Sequence, residues 1–378
     1  MYFSSLLLLQ VLLPLVVSTI DWPNIYGWGR NRGSPLDLPL RLFPARNSSQ
    51  WKAYRVLFPD KTYHNASDEE YHARIFEAAR LAMDEHNRGF LNGTFTYDMG
   101  INQFTDMNEE EYVYNVVNWA LADHLHGAQE LSHSNNTQNR PKRKTIAVKM
   151  PKPEAPKQGK GLKALKAPAS LDLRKTGEVN AIRSQGMCGA CYSFSALAVV
   201  ESGYYRQNKK SIDLSEQQAL ECWNMGAGGC SGGNPFRVLQ GISKTGITIE
   251  QEHKYTAKGG PTCRKFKEHA KIKSIHGAQG NPESLKNALQ NHGVLSIVVD
   301  GYSAGFKNYK GGIYYAPAAR ISHAINLVGY GNEGGKDYWI IRNSWDTTWG
   351  EKGYMKMDMN SPAVRSFDAV GATVLKQP

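Results

Sequence analysis

Gln185-Gly186-Met187-Cys188-Gly189-Ala190-Cys191-Tyr192 is the stretch that decides how this chain is read. It runs into Ser193-Phe194-Ser195-Ala196-Leu197-Ala198, where Phe194, Leu197 and Ala198 recur at helical spacing. A thiol that opens a helix sits among unpaired N–H groups carrying roughly half a positive charge, which favours the thiolate. His323 lies 132 positions after Cys191, in Ser322-His323-Ala324-Ile325-Asn326-Leu327, which reads as a buried strand. Asn343 lies 152 positions after Cys191, in Asn343-Ser344-Trp345. A thiol, an imidazole and an amide are the parts of a thiolate–imidazolium centre, in which the amide orients the ring.

The chain has five cysteines, all between Cys188 and Cys263. Four can pair and one is left over, which in an oxidising compartment is an intermolecular linker or a nucleophile. Cys188-x-x-Cys191 also has a zinc-ligand gap, but no second such pair or close His pair accompanies it. No metal and no cofactor is expected.

A length of 378 residues suggests two or three domains. Leu6 to Val17 is an apolar run broken by one Gln and one Pro, short for a bilayer and followed by Ser18 and Thr19. It reads as a secretory signal peptide over residues 1–18, with no membrane span elsewhere and a route through the secretory pathway to lysosome or exterior. Residues 1–139 carry 10 Lys+Arg against 16 Asp+Glu, residues 140–166 carry 10 against 1, and residues 168–378 carry 25 against 17. The basic run has no aromatic residue and no periodicity, so it reads as a solvated linker and not as a nucleic-acid site. Ser67-Asp68-Glu69-Glu70 reads as a capped helix start, with Ile75, Phe76, Ala79, Ala82 and Met83 on one face beyond it. Asn47, Asn65, Asn92 and Asn135 head Asn-x-Ser/Thr sequons, all before the linker.

Cys188 to Tyr192 fits C-G-[SA]-C-[WY], with His and Asn at the distances that go with it, so the chain resembles the papain family of cysteine proteases. Gly100-Ile101-Asn102-Gln103-Phe104-Thr105-Asp106 matches in full that family's propeptide motif G-x-N-x-F-x-D, carried by Gly100, Asn102, Phe104 and Asp106. Its second propeptide pattern falls on Asp68, His72, Phe76, Ala79, Met83 and Asn87, with only Phe76 and Asn87 identical. Pro168 to Arg174 resembles the start of a mature enzyme, with Leu173 where Trp is usual.

The resemblance implies an α+β, papain-like two-lobed fold, one lobe helical and one β-barrel-like, behind a helical inhibitory propeptide. The expected divisions are residues 19–50 as an N-terminal extension, 51–139 as the propeptide, 140–167 as the linker holding the maturation cleavage, and 168–378 as the peptidase. It implies an endopeptidase working as a monomer on peptide or protein substrates, with its own propeptide as intramolecular inhibitor. Cys191 is then the nucleophile, His323 the acid/base, Asn343 the ring-orienting group and Gln185 an oxyanion donor beside the Cys191 backbone N–H. Trp345 covers the Asn–His bond. Tyr192 replaces a commoner Trp, and Asp346 replaces a Gly, where its charge would raise the pKa of a nearby His323. Disulfides Cys188–Cys230 and Cys222–Cys263 are implied, while the positions of a frequent third bridge hold Ala319 and Phe367. Gly232 and Gly233 would pair with an extended substrate. Asn234, Pro235, Ile321, Ala324 and Ala372 would line an apolar second pocket. The acidic propeptide is expected to hold the basic mature part until acid protonates Asp106 and its neighbours. A catalytically weakened homologue that binds peptides or serves structurally is the rival reading.

Overall fold

The computed structural model describes residues 46–117, 167–223, 229–260, 263–278, 282–315, 321–362 and 369–376. The leader, the basic linker, Asn135, Ala319 and Phe367 lie outside the described residues.

Two helices open the described chain, α1 (Ser49–Leu57) and α2 (Ala66–Leu91). They cross over a small aromatic core of Trp51, Tyr54, Ala73 and Phe76. The cap of α2 lies two residues before the expected one. Asn65, not Ser67, is the N-cap, and its side chain accepts from the amides of Ser67 and Asp68. Asp68 reaches back to the His64 N–H at 2.9 Å, so a start at Asn65 satisfies three donors together. His72, Phe76, Ala79 and Met83 form the buried face. Asn87 closes a two-way bond with the Met99 backbone, donating to its carbonyl and accepting from its N–H at 2.8 Å each. That bond fixes β1 (Tyr97–Met99) against α2.

α3 (Glu109–Asn115) is capped by Asn108 and Glu111 in a reciprocal box. After it come β2 (Leu171–Asp172), a 3-10 turn at Leu173–Lys175 and α4 (Cys191–Asn208). Then come α5 (Glu216–Cys222), α6 (Pro235–Thr245), β3 (Ile272–Ala278), α7 (Pro282–His292), β4 (Leu295–Asp300) and α8 (Ala304–Lys307). β5 (Tyr309–Tyr314), β6 (Ile321–Glu333), β7 (Lys336–Arg342), β8 (Tyr354–Asp358) and β9 (Ala369–Val374) complete the chain. The strands order as β1-β5-β8-β7-β6-β4-β9-β3, with β2 on β6. All pairs are antiparallel except β5 with β8. The N-terminal helical segment thus supplies an edge strand, Tyr97 opposite Gly312, which covers backbone groups that would otherwise be exposed.

α4 packs against β6, β9, β4 and α6. Every residue from Cys191 to Gly203 is buried, so it has no solvent face over this length. The small polar residues let it sit there. Ser195 bonds Ser296 Oγ and donates to the Ile325 carbonyl, and Ser202 accepts from the Val294 N–H. Glycine at 203 lets the helix approach β9, since a Cβ there would stand 2.9 Å from Val374. Two disulfides, Cys188–Cys230 and Cys222–Cys263, tie the loops of the helical part.

Candidate active site

Cys191 is the first residue of α4 and lies outside both disulfides. Its N-cap, Ala190, offers no side-chain bond to the first turn, so the amides there face the sulfur end of the helix without a competing carboxylate. The approach is rigid. Cys188 is crosslinked to Cys230, and the Gly189 N–H donates to the Cys230 carbonyl at 2.8 Å. A Cβ at Gly189 would come within 2.5 Å of that carbonyl, so only glycine fits.

His323 lies in β6, opposite Val299 of β4. The N–H of the next residue, Ala324, donates to Cys191 Sγ at 3.5 Å, which brings this part of β6 onto the sulfur. The Nε2 atom of His323 bonds Asn343 Oδ1 at 2.8 Å. Its Nδ1 has no hydrogen-bond partner among the described residues, so the Nδ1 edge is the one left open to exchange a proton. Trp345 stacks on the ring at 4.5 Å and 27°, and Phe306 meets it edge-on at 5.9 Å. Asn343 Oδ1 also accepts from the Ser344 N–H. Burial pushes the His323 pKa down to about 4, and the bond to Asn343 offsets only part of that.

Asp346 does not act on His323 as expected. It is exposed at φ 64°, a conformation that suits glycine and that Asp tolerates, and its carboxylate turns to the Thr347 N–H. Burial and the Asn343 bond are the causes acting on His323, and Asp346 is not among them.

Gln185 is wholly buried. Its Oε1 accepts from Ser344 Oγ at 2.7 Å, which turns Nε2 the other way. Nε2 donates to the Cys188 carbonyl and to the carbonyl of Val116, each at 2.8 Å. Val116 belongs to the segment after α3, so a carbonyl from the N-terminal part of the chain is bonded to this amide. Tyr112, Val116 and Val117 are buried against the mature part, and Tyr112 Oη donates to the Gly301 carbonyl at 2.9 Å. The sequence motifs gave no signal for Tyr112 or Val116. Both lie beyond Asp106, where no pattern of residue types marks a segment that binds through its backbone.

The G-x-N-x-F-x-D stretch is the second seal. Asn102 Nδ2 donates to the Lys307 carbonyl, and Gln103 Nε2 donates to the Trp345 carbonyl at 2.6 Å. Phe104 lies edge-on to Trp345 at 5.1 Å. Asp106 corrects the simple picture of an acidic propeptide on a basic cleft. Its carboxylate is turned into the propeptide, accepting from Tyr54, Tyr63 and Lys61. Its reach to the mature part is through the field on Lys307. That ammonium donates to the Met107 carbonyl, and its burial lowers its pKa to about 8, partly offset by Asp106.

Of the proposed pocket residues, Asn234 caps α6, Pro235 is buried in its first turn, and Ala324 packs with Cys191 and Val298. Ile321 opens β6, and Ala372 is buried in β9 opposite Ile275. Gly233 lies against the Tyr192 ring, where a Cβ would stand 2.6 Å away, and Gly232 has φ 106°. Cys188 is spent in its disulfide, and among the described residues no group of three His, Cys, Asp or Glu is placed to hold a metal. No described helix is long and apolar enough to cross a membrane.

Residues 167–369 match the family described as papain family cysteine protease, and residues 52–112 match the cathepsin propeptide inhibitor domain (I29). The chain is 32% identical over 323 residues to a cathepsin L-like proteinase of Fasciola hepatica, covering 83% of this chain and 89% of that one. It is 30% identical over 346 residues to digestive cysteine proteinase 2 of Homarus americanus, covering 88% and 95%. The solved structure of digestive procathepsin L 3 from Tenebrio molitor larval midgut is similar at a TM-score of 0.68 and 28% identity, over 85% of this chain and 97% of that one.

Proposed function

Because the chain belongs to the papain family of cysteine proteases, we propose that Cys191, His323, Asn343 and Gln185 carry its hydrolysis of peptide bonds and that the form described is latent. One observation supports both parts. The Gln185 Nε2 donor, placed to receive a substrate carbonyl, is already bonded to the Val116 carbonyl.

Once the propeptide leaves, the Cys191 proton passes to His323 Nδ1, and the ring carries its charge while Nε2 holds to Asn343. Sulfur attacks the carbonyl carbon, and the oxyanion is met by Gln185 Nε2 and the Cys191 N–H. The C–N bond breaks as Nδ1–H gives its proton to the leaving amine, leaving a thioester. His323 then takes a proton from water, hydroxide adds to the thioester, and the thiolate departs with the acid as product. Trp345, stacked on the ring, keeps water from the His–Asn bond.

His323 is wholly buried in this latent form, where burial holds its pKa near 4 and its ring is neutral at higher pH, and we propose that release of the propeptide reopens the ring to water. A pKa depressed in the seated state means that this state binds fewer protons than the open one. Seating therefore weakens as pH falls from the usual imidazole value of about 6.5 towards 4. Acid release follows, which fits maturation in an endolysosomal or secreted setting. Cleavage within residues 140–167 frees a monomeric peptidase that accepts apolar side chains two residues before the cut, beside Asn234, Pro235, Ile321, Ala324 and Ala372, with Gly232 and Gly233 pairing to the peptide backbone. Exposed Asn47, Asn65 and Asn92 are proposed glycan acceptors on the propeptide.

The test is trapping. An activated peptide ester mixed with the processed enzyme should give one acyl adduct, mapped to Cys191. The adduct should be absent from Cys191→Ala, and its formation should be slowed at least about a hundredfold in His323→Ala. Turnover that survives Cys191→Ala sinks the reading, and the weakened-homologue alternative would show no adduct at all.

A further inference from the structure

The Gln185–Gly186 turn is gripped on two sides. On one side, Ser344 takes the Gln185 N–H through its carbonyl and the Gln185 Oε1 through its hydroxyl. The other side is made by residues 250–257, a segment that no motif singles out. Tyr255 Oη donates to the Gln185 backbone carbonyl at 2.8 Å. Its ring is held edge-on to Phe194 of α4 at 4.9 Å and 87°, one turn from Cys191. The Tyr255 N–H donates to Glu250 Oε1 at 2.9 Å, and Glu250 pairs with Arg183 at 2.8 Å. Arg183 is two residues before Gln185, so the clamp closes on the same loop it holds. Two residues on, Ala257 sits at φ 55°, and a Cβ added at Gly186, itself at φ 59°, would stand 3.5 Å from the Ala257 Cβ.

We propose that Tyr255 is a positioning residue for the oxyanion donor: its hydroxyl fixes the Gln185 backbone, and through it the angle at which Nε2 meets the developing oxyanion. This rests on the reading of Gln185 as that donor. A side-chain amide is a useful oxyanion donor only if it is held at 2.7–3.1 Å from where the charge develops, so a small rotation of its backbone is felt in the transition state more than in substrate binding. Tyr255 is well suited to this. Burial, with the nearby carboxylate of Glu216, keeps the phenol above its ordinary pKa and hence a donor throughout the working range. Its bond spans 70 residues of sequence, so no local pattern betrays it.

The experiment is a double-mutant cycle on the processed enzyme with Tyr255→Phe and Gln185→Ala, reading kcat, KM and the affinity of a peptide aldehyde, whose hemithioacetal oxygen mimics the oxyanion. Tyr255→Phe, which keeps the ring and its contact with Phe194, should lower kcat about 3- to 10-fold with KM changed less than about twofold, and weaken the aldehyde in parallel. In the Gln185→Ala background the same change should have almost no effect, because there is no donor left to aim. If Tyr255→Phe multiplies fully with Gln185→Ala, or raises KM and leaves kcat alone, Tyr255 is only a structural contact and the proposal falls. If Gln185→Ala itself leaves kcat and aldehyde affinity unchanged, it is the donor reading that fails.

Discussion

Phe104→Ala in the intact precursor isolates the seal between propeptide and active site. The ring is 3% exposed, edge-on to Trp345 at 5.1 Å and 5.8 Å from Tyr112. Emptying such a site costs about 3–5 kcal/mol. Tyr112 moves with the propeptide, so only the share spent against Trp345 opposes opening, and about 2–3 kcal/mol is a fair portion. At about 1.4 kcal/mol per tenfold, the open population rises about 30- to 150-fold. Cys191 is wholly buried in the closed form, so a thiol reagent reaches it only through opening, and its labelling rate reports that population. The assay is intact-mass labelling at neutral pH, before processing begins. Phe95→Ala is the control. That ring is 42% exposed, stacks on His86 within the propeptide and should change the rate less than about threefold. If Phe104→Ala labels within threefold of the parent while its propeptide stays folded, the seal does not run through Phe104 and the reasoning is wrong.

Three further outcomes are expected. Glu201 is buried in α4 with a pKa raised by burial to about 7, against an ordinary 4.5. Protonated burial favours the fold below pH 4.5 and that advantage is lost as pH rises towards 7, so Glu201→Gln should gain melting temperature over the parent progressively across that window. A gap that is flat or shrinks from pH 4.5 to 7 contradicts it. Replacing Cys222 and Cys263 by Ser opens a loop of 41 residues and should destabilise the chain by about 4 kcal/mol, read from denaturant midpoints. An unchanged midpoint would mean the reduced chain keeps that loop closed by packing. Asp106→Asn removes the charge that Lys61 and two tyrosine hydroxyls share, so the precursor should mature at higher pH and its propeptide should become more protease-sensitive. Maturation with the parent's pH profile would show that Asp106 takes no part in acid release.

Residues whose chemistry is local were legible in the sequence. Cys191 opens α4 and His323 lies in a buried strand because helix spacing and an apolar run are written in neighbouring residues. The weak second propeptide pattern still picked out His72, Phe76, Ala79, Met83 and Asn87, since the i, i+4 and i+3 steps mark a face whatever the residue identities. The start of α2 was misplaced because Asn65 and Ser67 are both good caps, and only Asp68 turning back to His64 decides between them. The sequence marks one apolar face of α4 at Phe194, Leu197 and Ala198, but the helix is buried all round from Cys191 to Gly203, because β4, β6 and β9 close over it from far along the chain. Asp106 looked like a partner for the mature part. Its true partners come from Tyr54, Lys61 and Tyr63, which converge on it only once α1 has folded onto α2. Val116 binds by its carbonyl and Tyr255 by a hydroxyl 70 residues away, and neither kind of contact leaves a trace in residue type.

The most direct test compares alkylation of residue 191 at pH 5.5 in the processed enzyme and in a precursor kept whole. A charged sulfur facing a protonated ring predicts rapid, single-site reaction after processing, and a rate at least about a hundredfold slower while the Val116 carbonyl still occupies Gln185. Equal rates in the two forms, or an inert sulfur in the processed one, would contradict the account.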